Sequence, residues 1–113
     1  MELYREYIKE RENSNLLVNE NGWLSYKVNG QECFIVDMFI KKESRGTGLL
    51  DKMISDLKDI ALLSQCEIIV ANIHLNDKGA NHTLKAAFKL DFSVVRADHN
   101  IIVIVKQIGG SNG

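Results

Sequence analysis

Apolar and polar residues recur along this chain with two periods, and the switches between them mark out its elements. Leu3, Tyr4, Tyr7 and Ile8 fall on one face of a short charged helix over residues 2–12. Period two then takes over. Leu16 to Asn19 and Trp23 to Val28 predict two strands joined around Asn21-Gly22. Asn29-Gly30 is a two-residue hairpin signal into a third strand over 31–40. Leu49, Leu50, Met53, Ile54, Leu57, Ile60 and Ala61 return to spacings of three and four, which predicts a helix over 47–63. Thr47 or Gly46 would cap it, and Asp51 suits its first turn. Glu67 to Ile73 is a β-rich run of buried-strand type, and a polar loop, His74 to Gly79, leads to a short helix over 80–90. Phe92 to Ala97 and Ile101 to Lys106 predict a closing hairpin around Asp98-His99-Asn100.

The order α-β-β-β-α-β-α-β-β, with no repeat and no linker, argues for an α+β fold on one mixed sheet. Strands 31–40 and 67–73, joined by the 47–63 helix, should run side by side and parallel. At 113 residues the chain has room for one modest core. We expect one domain over 1–108, with the glycine-rich stretch 109–113 as a loose end. An edge strand as apolar as Ile101 to Val105 needs cover, so a homodimer burying the C-terminal hairpin or the N-terminal helix is expected.

Charge and composition narrow the partners. Fourteen basic against fifteen acidic residues leave a formal charge of −1, with no bulk attraction to nucleic acid or anionic membranes. No apolar run approaches the ~20 residues of a membrane span. Cys33 and Cys66 lie far apart on apolar segments, as reduced, buried thiols of a cytoplasmic protein would. His82 and His99 read as solvated, and no trio of ligands has metal spacing. Trp23, Tyr26 and Phe34 read as core.

The candidate chemistry sits at residues 40–57. An apolar strand ends in a charged link, then Arg45, Gly46, Thr47 and Gly48 open a helix. Strand, glycine loop and helix together aim free backbone N–H groups and the positive end of a helix dipole at one point, where a phosphate can sit. A Walker loop needs four residues between its glycines and a Lys-Ser/Thr after them, and neither is present. A KH-type loop needs two residues between glycines, and only Thr47 stands there. A dinucleotide fingerprint would put a third glycine where Asp51 sits.

The segment Glu43-Ser44-Arg45-Gly46-Thr47-Gly48, after an apolar strand and opening a long helix, resembles the acetyl-CoA loop of the GNAT superfamily of N-acetyltransferases, (Gln/Arg)-x-x-Gly-x-(Gly/Ala). Glu43 departs at the first position, and Leu50 stands where a third small residue is frequent. Asn81, Leu84, Phe88, Lys89, Leu90, Asp91 and Phe92 resemble the family's Asn-x-x-Ala-x-x-x-Tyr-x-Lys-x-Gly-Phe if one residue is dropped after Phe88. The resemblance covers roughly residues 14–107 and implies a minimal GNAT-like domain: a mostly antiparallel sheet with a central splayed parallel pair, flanked by helices. It implies acetyl-CoA as substrate and a primary amine of a protein or small molecule as acceptor. Backbone N–H groups of Arg45, Gly46, Thr47, Gly48, Leu49 and Leu50 would hold the pyrophosphate, and the pantetheine arm would pair with Met38, Phe39 and Ile40. Asn81 and Phe88 belong to the same set by motif. Arg45 either adds a side-chain contact to phosphate or is a solvated loop arginine.

Transfer needs a neutral amine, an oxyanion site and a proton for the leaving thiolate. The family's proton-donating tyrosine falls on Phe88 in the gapped alignment and on Ala87 in an ungapped one, and neither can donate. Asp37, a charge inside an apolar strand, is a candidate base or a solvent-facing carboxylate; alternation sets it opposite Met38 and Ile40. Asn72 and His74, two apart at the end of the next strand, fit the acceptor side, and a histidine is the side chain able to take up or release a proton near neutral pH. A GNAT-fold module without catalysis, acting through protein contacts, is the alternative.

Overall fold

The computed structural model describes residues 1–109; the tail expected to be loose lies, for 110–113, outside the described residues. Gly109 is still held, its N–H donating to the Glu67 carbonyl at 3.3 Å. Three helices, α1 (Glu2–Glu12), α2 (Leu49–Leu63) and α3 (Ala80–Lys89), accompany six strands, β1 (Asn15–Asn19), β2 (Gly22–Asn29), β3 (Glu32–Ile40), β4 (Ile68–His74), β5 (Ser93–Asp98) and β6 (Ile101–Gln107). The strands form one sheet in the order β1-β2-β3-β4-β6-β5. All pairs are antiparallel except β3–β4.

Both hairpins expected at the Asn-Gly pairs form, each with its turn one residue away from the pair. The first is made by Glu20 and Asn21, braced by the Asn19 side chain accepting the Asn21 N–H at 3.0 Å. Gly22 is already in β2. The second is made by Gly30, with φ 61°, and Gln31, while Asn29 pairs with Glu32. Another correction concerns the sheet's edges. β6 lies between β4 and β5, so Ile101 to Val105 is internal and the outer strands are β1 and β5.

The core fills one face of the sheet. Leu24, Cys33, Ile35, Ile69, Ile73 and Ile104 meet Met53, Ile54, Leu57 and Ala61 of α2 and Ala80 and Ala87 of α3. Every α2 position expected to face inward is buried or half-buried. Cys33 and Cys66 are buried, free thiols within this core. Helix α1 buries Ile8 and half-buries Tyr4, but Leu3 and Tyr7 are exposed. The inward stripe is thus narrower than expected, and Tyr7 instead carries the Arg11 guanidinium 5.5 Å from its ring centroid.

Candidate functional site

The site begins where β3 leaves β4. The two pair from Glu32/Ile68 to Ile35/Ala71 and no further, although β3 runs on to Ile40 and β4 to His74. A bulge marks the departure: Ser25 of β2 pairs with Asp37 and Tyr26 with Ile35, so Val36 is an extra residue. An inserted residue bends its strand and shifts the alternation by one. Cys33 and Ile35 face the core, and beyond the bulge Met38 and Ile40 do. Past Ile35 the β4-facing backbone edge of β3 has no ladder partner.

The glycine loop follows at this same end. A single turn of 3₁₀-helix (Lys42–Ser44) leads to Gly46 at φ 77° and Gly48 at φ 91°, both in the left-handed region that glycine enters without a Cβ clash. Helix α2 starts at Leu49, with Gly48 as N-cap and no side-chain cap. Neither Thr47 nor Gly46 caps it, because the Thr47 hydroxyl donates instead to the Ser44 carbonyl at 2.5 Å. The N–H groups of the first turn therefore remain available to an anion. A Cβ built on Gly46 or Gly48 meets nothing within 4 Å, so the space in front of the loop is open. A cavity of about 320 Å³ adjoins it, bordered by Asn19, Asn21, Thr47, Gly48 and Lys52. Arg45 folds back, its Nε donating to the Ile40 carbonyl at 3.0 Å and tying the loop to the end of β3. A larger hollow of about 600 Å³ lies at the opposite end, between the Gly30–Gln31 turn and the link from α2 to β4. There β3 and β4 are still paired, and ligands of parallel strands bind beyond their carboxyl ends.

The candidate catalytic residues share the other face. Asp37 of β3 and Asn72 and His74 of β4 are exposed on either side of the splay, on the face away from the α2–α3 core. Asp37 accepts the Met38 N–H on Oδ1 at 2.9 Å, and no hydrogen bond joins the three side chains among the described residues. On α3, Asn81 is exposed in the first turn, Phe88 is 48% exposed and Ala87 only 7%. Met38 and Ile40 are half-buried on the α2 side, and Phe39 is 47% exposed on the outer face.

Two features escaped the sequence. Trp23, expected in the core, lies on the outer face with Tyr4 of α1 against it, ring centroids 5.6 Å apart and tilted 60°. Burial, then the Asp37 carboxylate, then Glu12 hold the Tyr4 phenol above its ordinary pKa, so Asp37 acts on the same aromatic corner. The Val36 bulge left one trace: a charge at residue 37, where the alternation of Cys33 and Ile35 calls for an apolar side chain.

The chain has the GNAT fold. The PaiA N-acetyltransferase of Thermoplasma acidophilum, in complex with coenzyme A, superposes with a TM-score of 0.75 at 13% identity over 93% of this chain and 69% of its own. A Bacillus subtilis acetyltransferase in complex with CoA gives 0.70 at 12% identity, over 91% of this chain and 83% of its own. The anti-CRISPR protein AcrVA5 gives 0.66 at 17%, over 80% of this chain and 96% of its own. No protein-family model and no curated protein sequence matches the chain.

Proposed function

We propose that the chain is an acetyl-CoA-dependent N-acetyltransferase acting on a primary amine of a protein or small molecule in the cytoplasm. One observation carries the reading. The uncapped start of α2 and the splay of β3 from β4 open at the same end of the sheet, in the fold shared with two CoA-bound acetyltransferases. The pyrophosphate rests on the backbone N–H groups from Arg45 to Leu50. The pantetheine arm adds as a strand to the free edge at Met38, Phe39 and Ile40, with Asn81 and Phe88 of α3 on its other side. Arg45, through Ile40, positions the loop against that edge.

The acceptor then comes from the outer face. Its nitrogen lone pair attacks the thioester carbonyl carbon, and a backbone N–H near Ile40 meets the oxyanion. Collapse breaks the C–S bond, and the electron pair leaves on sulfur. Asp37 takes the amine proton, with His74 beside Asn72 as the second route to solvent. Water protonates the thiolate, since neither Ala87 nor Phe88 has a proton to give.

The test is a melting curve with and without acetyl-CoA, followed by thiol release with a panel of amines. Acetyl-CoA raises the melting temperature of the wild type; Gly46→Asp and Gly48→Asp lose the shift, because a carboxylate there crowds the loop and repels phosphate. Equal shifts in all three proteins would mean that this loop does not hold the phosphates. The missing tyrosine favours a second reading, a non-catalytic module working through protein contacts, for which neither acetyl-CoA binding nor thiol release is expected.

A further inference from the structure

The outer face of β3 carries an arrangement that acetyl transfer in general does not require. Trp23 and Phe39 are cross-strand partners, and Asp37 precedes Phe39 by two residues on the same face of β3. Tyr4 closes the corner from α1, packed against Trp23. Asp37 takes part in none of the ion pairs found among the described residues, and the hydrogen bond from Met38 engages only its Oδ1. A free carboxylate beside half-exposed aromatic rings is the chemistry that receives a cation on an aliphatic stem: the charge meets the carboxylate and the ring faces, and the methylenes lie along the rings.

We propose that this corner holds the acceptor as an unbranched alkylammonium, with Tyr4 and Trp23 as its aromatic wall and Asp37 as its counter-charge. The proposal rests on the acetyl-transfer reading and names its substrate class. A free diamine and a lysine side chain share this chemistry. A weakly basic aryl amine, neutral in water, does not. Before transfer, one proton passes from the ammonium to the Asp37 carboxylate and on to solvent, which frees the nitrogen lone pair.

Trp23 is the only tryptophan in the chain, so its emission reports the corner directly. Wild type is titrated, without acetyl-CoA, with 1,5-diaminopentane, with a lysine-centred peptide blocked at both ends, and with 1-pentanol, calorimetry being run in parallel. Saturable binding of the diamine, the peptide or both, with none of pentanol, is expected. Binding of the diamine alone points to a small-molecule acceptor, and binding of the peptide alone to a protein lysine. Asp37→Asn weakens the binding ~10-fold or more through loss of a charge-assisted contact. Tyr4→Leu weakens it ~2–5-fold through loss of a ring face. The affinity for acetyl-CoA stays as in wild type in both variants. No saturable binding of either ammonium, or equal binding by Asp37→Asn, overturns the proposal. Ammonium binding in a protein that ignores acetyl-CoA keeps this site and sinks the transfer reading instead.

Discussion

At Gly22 the backbone of β2 runs so close to β3 that a Cβ would stand 2.5 Å from the Phe39 carbonyl oxygen. The atom it would meet is backbone, so no rotamer change relieves the contact. Gly22→Ala therefore costs ~2 kcal/mol, in the range of other overpacked sites, and a urea titration reads it as a lower midpoint at unchanged slope. An unchanged midpoint would mean that the hairpin end yields freely. Cys33 gives a second handle on the same core. Burial, then the nearby Cys66 thiol, push its pKa from 9.0 up to about 12. Above pH 9 the unfolded chain releases this proton while the folded chain keeps it, so stability falls as pH rises from about 9 to 12. At pH 10 the loss amounts to ~1.4 kcal/mol relative to pH 8, and burial of Cys66 works in the same direction. Urea midpoints that coincide at pH 8 and pH 10 would show that the thiol is not held neutral.

The elements differ in how plainly the sequence marks them. Helix α2 is legible almost residue by residue, since its whole apolar stripe meets the sheet. Strand β3 is legible in extent but not in phase, because the Val36 bulge moves Met38 and Ile40 onto the core face that simple alternation would deny them. Helix α1 is legible as a helix, yet its period cannot say how much sheet there is to cover, and Leu3 and Tyr7 stay outside. On α3 the backbone bears on the alignment. The helix runs unbroken from Ala80 to Lys89, and Asp91 takes φ 70°, the left-handed conformation suited to the family's glycine. A residue dropped after Phe88 would fall inside this unbroken helix, so the register favours the ungapped alignment, in which buried Ala87 stands at the tyrosine's place and Phe88 does not. Phe88→Tyr should then leave thiol release within about twofold of wild type, whereas a hydroxyl facing the thiolate would raise it ~10²–10⁴-fold. A rise of tenfold or more would put Phe88 at the sulfur and restore the gapped alignment.

Across the whole molecule the two faces of the sheet are treated differently. Helices α2 and α3 seal one face, while α1 reaches only the β1 end of the other. The far edge, β5, is exposed at every residue, with Val94 at 43% and Val95 at 60%. A second bulge, at Val95, interrupts its pairing with β6, and bulges are one of the devices that blunt an edge. Here the blunting is incomplete, because Val94, Ala97 and the free edge of the backbone still offer a strand to pair with. Two copies of β5 laid antiparallel satisfy a two-fold axis, so such pairing closes at a dimer and does not propagate. Light scattering at high micromolar concentration should therefore give twice the mass of the 12.8 kDa chain. Val94→Lys, which adds a like charge on both sides of the axis, should return the mass of one chain without lowering the melting temperature of the diluted protein. A wild type that scatters as a monomer at that concentration would remove the dimer. It would leave the acceptor corner untouched, since Tyr4, Trp23 and Asp37 lie on α1, β2 and β3, separated from β5 by β4 and β6.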